Sequence, residues 1–201
     1  MATPTIQPGQ IKTGPGLIIY KYGLTTMPTI TAAGSKVVFD YATDGWLQVG
    51  ATEAGLTYNE STSTEAIRVA ESAYPVRTVT TEKGGTVAFT MSHISDVNWK
   101  LAMNGGTITV SGTGATKLSE YVPPLVGAEV RVALGFISLD EEEVLIWPQV
   151  FNGGSVETGR AEMATKAGLP VEFSVELPDT TILTTPYKRF TAGSLAQATG
   201  V

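Results

Sequence analysis

His93 is the single histidine of a 201-residue chain that contains no cysteine, and these two facts narrow the available chemistry. A Ser–His–Asp arrangement needs one imidazole to carry a proton, so a hydrolase is formally open. His93 stands beside a helix start, however, where a surface or capping role is the commoner one. With one imidazole and no thiolate, a metal would have to be held by oxygen ligands. The run Asp140-Glu141-Glu142-Glu143 offers such oxygens. It lacks the alternating ligands and turn glycine of a calcium loop, and reads as a solvated acidic turn between two strands. The stretch GTGATK at 112–117 follows a strand-like run but lacks the third glycine and the long helix of a phosphate loop, so a β-turn is the better reading. Trp46, Trp99 and Trp147 could form a sugar-stacking platform, yet each sits inside an apolar period and reads as core. Asn59-Glu60-Ser61 matches a glycosylation sequon, but MATPTIQPGQ has neither the basic nor the apolar region of a signal peptide. The expectation is a protein made in a cytoplasm, with no catalytic residues, no cofactor and no metal.

The elements that would position these residues have period two. Val37, Phe39 and Tyr41 alternate with polar neighbours or smaller ones, as do Val87, Phe89 and Met91. Val130, Val132, Leu134 and Phe136 repeat the pattern, and so do Val171, Phe173, Val175 and Leu177. Each run puts large apolar side chains on one face of a pleated strand, as a half-buried antiparallel sheet requires. Residues 17–22, 64–71, 75–81, 107–111 and 144–151 are further strand candidates. Gly84-Gly85, Gly105-Gly106 and Gly153-Gly154 read as turns. The fold class expected is mainly β, an antiparallel sandwich or barrel with one flanking helix at about 95–104. In that helix Ser95 is the N-cap, Gly105 the C′ residue, and Ile94, Val97, Leu101 and Ala102 the apolar stripe. A second short helix is expected at 160–167, ended by Gly168 and Pro170. The Pro- and Gly-rich residues 1–16 read as an extended arm, 17–190 as one domain, and 191–201 as a flexible tail.

Charge separates functional classes further. Thirteen basic against nineteen acidic residues give a net −6, which argues against a broad grip on nucleic acid. Only 16% of residues are charged, below the usual quarter, which suits surfaces covered by neighbours and equally a Thr/Ser-rich monomer. No apolar run approaches a membrane span.

One stretch resists assignment to any of these roles: GWLQVGATEAGLTYNEST at 45–62. It opens as a strand, passes into small and polar residues, and turns β-like again at Leu56, Thr57 and Tyr58. Its pattern G-W-x-x-V-G-x-T-x-x-G-L is followed by EAIRVAES, PVRTVTT, and TVAFTM running into a helix and then Asn-Gly-Gly. The C-terminal half adds VRVALGFISLDEEEVLIWPQV and LPVEFSVELPD. Over roughly residues 16 to 180 the chain resembles the major tail tube proteins of long-tailed, siphovirus-type bacteriophages.

That resemblance implies a β-sandwich with a flanking helix, six copies closing into a ring, and rings stacked into a tube through which DNA is delivered. Partners would be copies of the same chain, then the tape measure, tail terminator and baseplate or distal tail proteins. The location would be the virion, with the host cytoplasm during assembly. DNA would pass the lumen without specific binding, and no membrane would be involved. Under this reading Ala51, Thr52, Glu53, Ala54, Gly55, Leu56, Thr57, Tyr58, Asn59, Glu60, Ser61 and Thr62 form a long loop reaching the adjacent ring. Glu65, Glu71 and Glu82 are candidates for an acidic channel wall that keeps phosphates centred, or equally for salt bridges between neighbouring copies. The rival reading is a monomeric carbohydrate- or receptor-binding β-sandwich, which needs exposed aromatics.

Overall fold

The computed structural model describes residues 14–70, 72–158 and 167–196. The second helix expected at 160–167 falls almost wholly outside them. Twelve strands are described. An antiparallel sheet has the path β4 (Leu47–Gln48), β1 (Gly16–Tyr22), β9 (Val132–Ser138), β10 (Glu143–Asn152), β11 (Leu169–Val175), β6 (Arg77–Met91) and β5 (Thr52–Ile67). β12 (Lys188–Thr191) pairs with the first half of β10. Two small hairpins stand apart, β2 (Thr31–Ala33) with β3 (Lys36–Val38), and β7 (Thr107–Ser111) with β8 (Leu118–Val122). The fold is mainly β with one flanking helix, a β-sandwich arrangement.

The alternation in the sequence accounts for the layers. Ile18 and Tyr20 of β1, Val132 and Leu134 of β9, and Trp147 and Val150 of β10 join Val87, Phe89, Met91, Val171 and Phe173 in the larger apolar cluster. The opposite faces of the same three strands place Ile19, Ala133, Ile137, Val144 and Ile146 in a second cluster, closed by Trp46, Val37 and Ala192. Strands β1, β9 and β10 are therefore buried on both faces, which a single hydrophobic stripe cannot reveal. Gly135 is required where Ile19 and Ile146 meet, since a Cβ there would lie 2.8 Å from the Ile19 side chain.

Pro148 turns the corner. It has no N–H for the ladder, and the pairing of β10 with β9 slips between Trp147 and Val150. The slip changes the phase of the strand. Leu145 and Trp147 face the larger cluster before it, and Val150 after it. It also lets β10 pair with β12 through Glu143–Ile146 and with β11 through Val150–Asn152.

The helix α1 (Asp96–Ala102) is shorter than expected. Ser95 caps it, its hydroxyl accepting the Asn98 N–H at 3.3 Å. Gly105 was expected to take the left-handed C′ place, but Asn104 holds it at φ 56°. The Asn104 N–H donates to the Leu101 carbonyl and the Gly105 N–H to that of Lys100, the two bonds of a Schellman ending. Val97, assigned to the apolar stripe, is 43% exposed; Asn98, Leu101 and Ala102 face inward instead. Asparagine serves there because its amide donates to the carbonyls of Val49 (2.9 Å) and His93 (2.6 Å), satisfying buried backbone groups.

A second buried pair closes the other end of the helix. Asn104 and the Asn152 backbone exchange two bonds of 2.8 Å. The Asn152 side chain donates to the Ala102 carbonyl and accepts from the N–H groups of Gly154 and Glu172. At the C-terminal end, Thr191 belongs to β12, Ala192 is buried, and its N–H donates to Glu142. The body thus runs past residue 190, where a flexible tail was expected to begin. Gly84-Gly85, expected as a turn, lies inside β6.

Candidate assembly surface

The stretch 51–62 is not a loop. Residues from Thr52 onward form β5, paired with β6 all the way to Ile67 opposite Arg77. A register shift between Thr52 and Leu56, with Gly55 at φ +75°, absorbs Glu53 and Ala54 as an irregularity. The small residues that suggested a loop are those of this bulge, and the Thr, Ser and Tyr that follow suit a strand.

The hairpin has two parts. At its root, Leu56 and Tyr58 pack against the larger apolar cluster. The Tyr58 ring lies 5.3 Å from those of Trp147 and Tyr187, and both tyrosine hydroxyls meet the Glu60 carboxylate, at 3.4 and 3.3 Å. Burial, with Glu60 beside it, pushes the Tyr58 phenol up to about 12. Gly85 leaves the room this ring needs, since a Cβ there would sit 3.3 Å from it.

Beyond the root, both strands leave the body. Of the described residues from Asn59 to Gly84, all are exposed except half-buried Val79. From Glu60 to Ile67 the ladder advances roughly 23 Å at ~3.3 Å per residue. The tip carries Ile67, Val69, Tyr74 and Val76, exposed at 48, 44, 81 and 63%. A two-stranded ribbon alone in water is marginally stable at best, and among the described residues neither edge of this one is paired.

The pairing assigns the arm's faces. Directly opposed residues share a face, so Tyr58, Glu60, Thr62, Lys83 and Val87 continue the core side. Asn59, Ser61, Ser63, Glu65, Arg77, Glu82 and Thr86 lie on the other. Glu82 opposes Ser63, which places Glu65 and Glu82 diagonally on one face, and Glu172, paired with Ala88, extends it. Three carboxylates share this face with Arg77 and with the apolar Ile67 and Val79. Glu71 lies outside the described residues.

The residues considered for chemistry sit elsewhere. His93 is exposed, its ring lies against Gly50, and its carbonyl serves Asn98. Its imidazole has no hydrogen bond to a serine or a carboxylate among the described residues. Asp140–Glu143 make the turn from β9 to β10, where Glu141 pairs with Lys36 at 2.7 Å. The 112–117 stretch connects β7 and β8. Trp46 and Trp147 are buried and Trp99 half-buried, so they offer no stacking platform. Among the described residues no group of three or more His, Cys, Asp or Glu is placed to hold a metal, and no helix is long and apolar enough to cross a membrane.

A second exposed apolar region was not foreseen. Leu118 and Val122 lie on the outer face of β8, exposed at 66 and 51%, followed by Leu125 and Val126 at 81 and 100%. The signal was present as Pro123-Pro124-Leu125-Val126, apolar residues that follow prolines instead of alternating in a strand. The chain matches no protein-family model and no curated protein sequence.

Proposed function

We propose that this chain is a structural protein that assembles into hexameric rings stacked as the tail tube of a bacteriophage, the conduit for DNA delivery. One observation carries the reading: a long two-stranded arm, exposed on both faces and apolar at its tip, that lacks the packing to justify itself in a monomer. Identical neighbours are the partners that a low-charge β-protein with open edges most readily acquires. A heterologous contact whose rotation closes gives a ring, and a second contact along the axis gives a filament. The ring number and the phage context rest on the motif resemblance. Residues 51–58 root the arm, and the inter-ring role passes to the segment beyond Asn59.

In this reading Glu65 and Glu82, on the face away from the core, are the candidate wall charges, and a carboxylate face repeated around each ring keeps phosphates from adhering. The purified protein should form rings or tubes with a central hole under negative-stain microscopy, with particle size rising with concentration. A chain that stays monomeric at high concentration, even when a tail-initiating complex is supplied, overturns the proposal. With tubes formed, Glu65→Lys and Glu82→Lys should slow genome ejection; normal ejection from both removes these residues from the channel.

A further inference from the structure

The arm tip and the unforeseen apolar region stand far apart, toward opposite ends of β6. Arg77 opens β6 next to the tip, and Met91 ends it just before α1, on which the β7–β8 hairpin packs. The fourteen steps between Arg77 and Met91 span roughly 46 Å at ~3.3 Å each. One molecule therefore carries two apolar surfaces that are unpartnered among the described residues and cannot meet each other. The tip exposes on the order of 400 Å² of apolar side chain and the second region slightly more, the upper range for a patch on a monomer. A standard interface takes about 800 Å² from each partner, a little over half of it apolar. The two areas are of the same order as each other and as that requirement.

Beside the second region lies a cleft of about 570 Å³, lined by Tyr22, Pro123, Pro124, Leu125 and Val130. The Tyr22 hydroxyl is buried with no hydrogen-bond partner among the described residues. At the tip, Tyr74 is the one large aromatic side chain, amphipathic and 81% exposed.

We propose that the arm tip of one copy seats on Leu118, Val122, Leu125 and Val126 of the next copy, with Tyr74 entering the cleft beside Tyr22. This rests on the tube reading and names the surface that receives the arm. Because the two surfaces differ, the contact is heterologous and directional, and along the tube axis it passes from each copy to the next.

The absence of native cysteine permits a direct test. Tyr74→Cys and Val126→Cys, mixed and oxidised, should give a disulfide-linked dimer that neither variant gives alone. Separately, a tip variant (Val69→Asp with Val76→Asp) and a surface variant (Leu125→Asp with Val126→Asp) should each lower sedimentable tube at least about tenfold. An equal mixture should yield one discrete complex of twice the blocked mass, since each supplies the surface the other lacks. All four positions are exposed, so unchanged melting of each variant is expected and confirms folding. Normal tubes from the surface variant, or a Tyr74→Cys dimer formed without Val126→Cys, overturn this contact while the tube reading stands. A wild-type chain that forms neither tubes nor the mixed disulfide overturns both.

Discussion

Along β6, Val87, Phe89 and Met91 are buried while Thr86, Ala88 and Thr90 are half-buried, whereas Arg77 to Gly84 are exposed apart from Val79. The backbone ladder to β5 runs through both parts. The difference lies in what covers them. The inner half has β11 as a second neighbour and the Trp147 cluster beneath it. The outer half has only β5 among the described residues. Hydrogen bonding gives a strand its shape in both places, but apolar burial supplies most of its stability only in the first. The fold is therefore anchored in one region and free to spend another on contacts.

Replacing Trp147 tests the anchored region most severely. It is fully buried and meets Tyr58 at the root of the arm, so Trp147→Ala should cost about 3–5 kcal/mol in denaturant unfolding. A loss below about 1 kcal/mol would mean the corner at Pro148 is not where stability resides. Asn152→Ala should rank next, at about 2–4 kcal/mol, because it strands the Ala102 carbonyl and the Glu172 N–H and leaves the Gly154 N–H only its bond to the Glu172 carbonyl. A wild-type melting curve would show that water replaces these bonds.

Removing the arm should reverse the pattern. Ser61 and Gly84 are paired, so an Asn-Gly turn in place of residues 62–83 can close the shortened hairpin. Stability should change by less than about 1 kcal/mol, since little apolar area is lost, while assembly disappears. A variant that unfolds would show the arm to be part of the core.

The smallest effect concerns charge. Burial alone would raise Glu176, but hydrogen bonds from Gln149 and Arg131 hold it below the usual carboxylate range. A depressed folded value means the contribution is present above about 4.5 and lost as pH falls through the lowered value. Glu176→Gln should cost under about 1 kcal/mol at neutral pH, because the Arg131 partner is half exposed. The gap to wild type should close in acid, read from melting temperatures against pH. A gap that widens in acid would reverse the assignment.

Much of the body was legible from residue order alone. Period-two runs place Val87, Phe89 and Met91 or Val171 and Phe173 on one face because successive Cβ atoms point to opposite sides of a strand. Ser95 marks the helix start because its hydroxyl can only serve a nearby N–H. The absence of cysteine and the lone histidine settled which chemistries the side chains can support. What tertiary structure decided was which paired segments find cover. Residues 52–58 and 59–67 have similar small and polar composition, yet the first packs on Trp147 and the second meets solvent on both faces. Gly84-Gly85 has the local conformational freedom of a turn, and became strand by pairing with Ser61 and Glu60, with Tyr58 lying against Gly85. Asn104 took the left-handed position expected of Gly105 because Asn152, 48 residues away, could accept and return its hydrogen bonds. Local sequence specifies dihedral preference and face; burial depends on distant partners, and those exist only once the chain has folded.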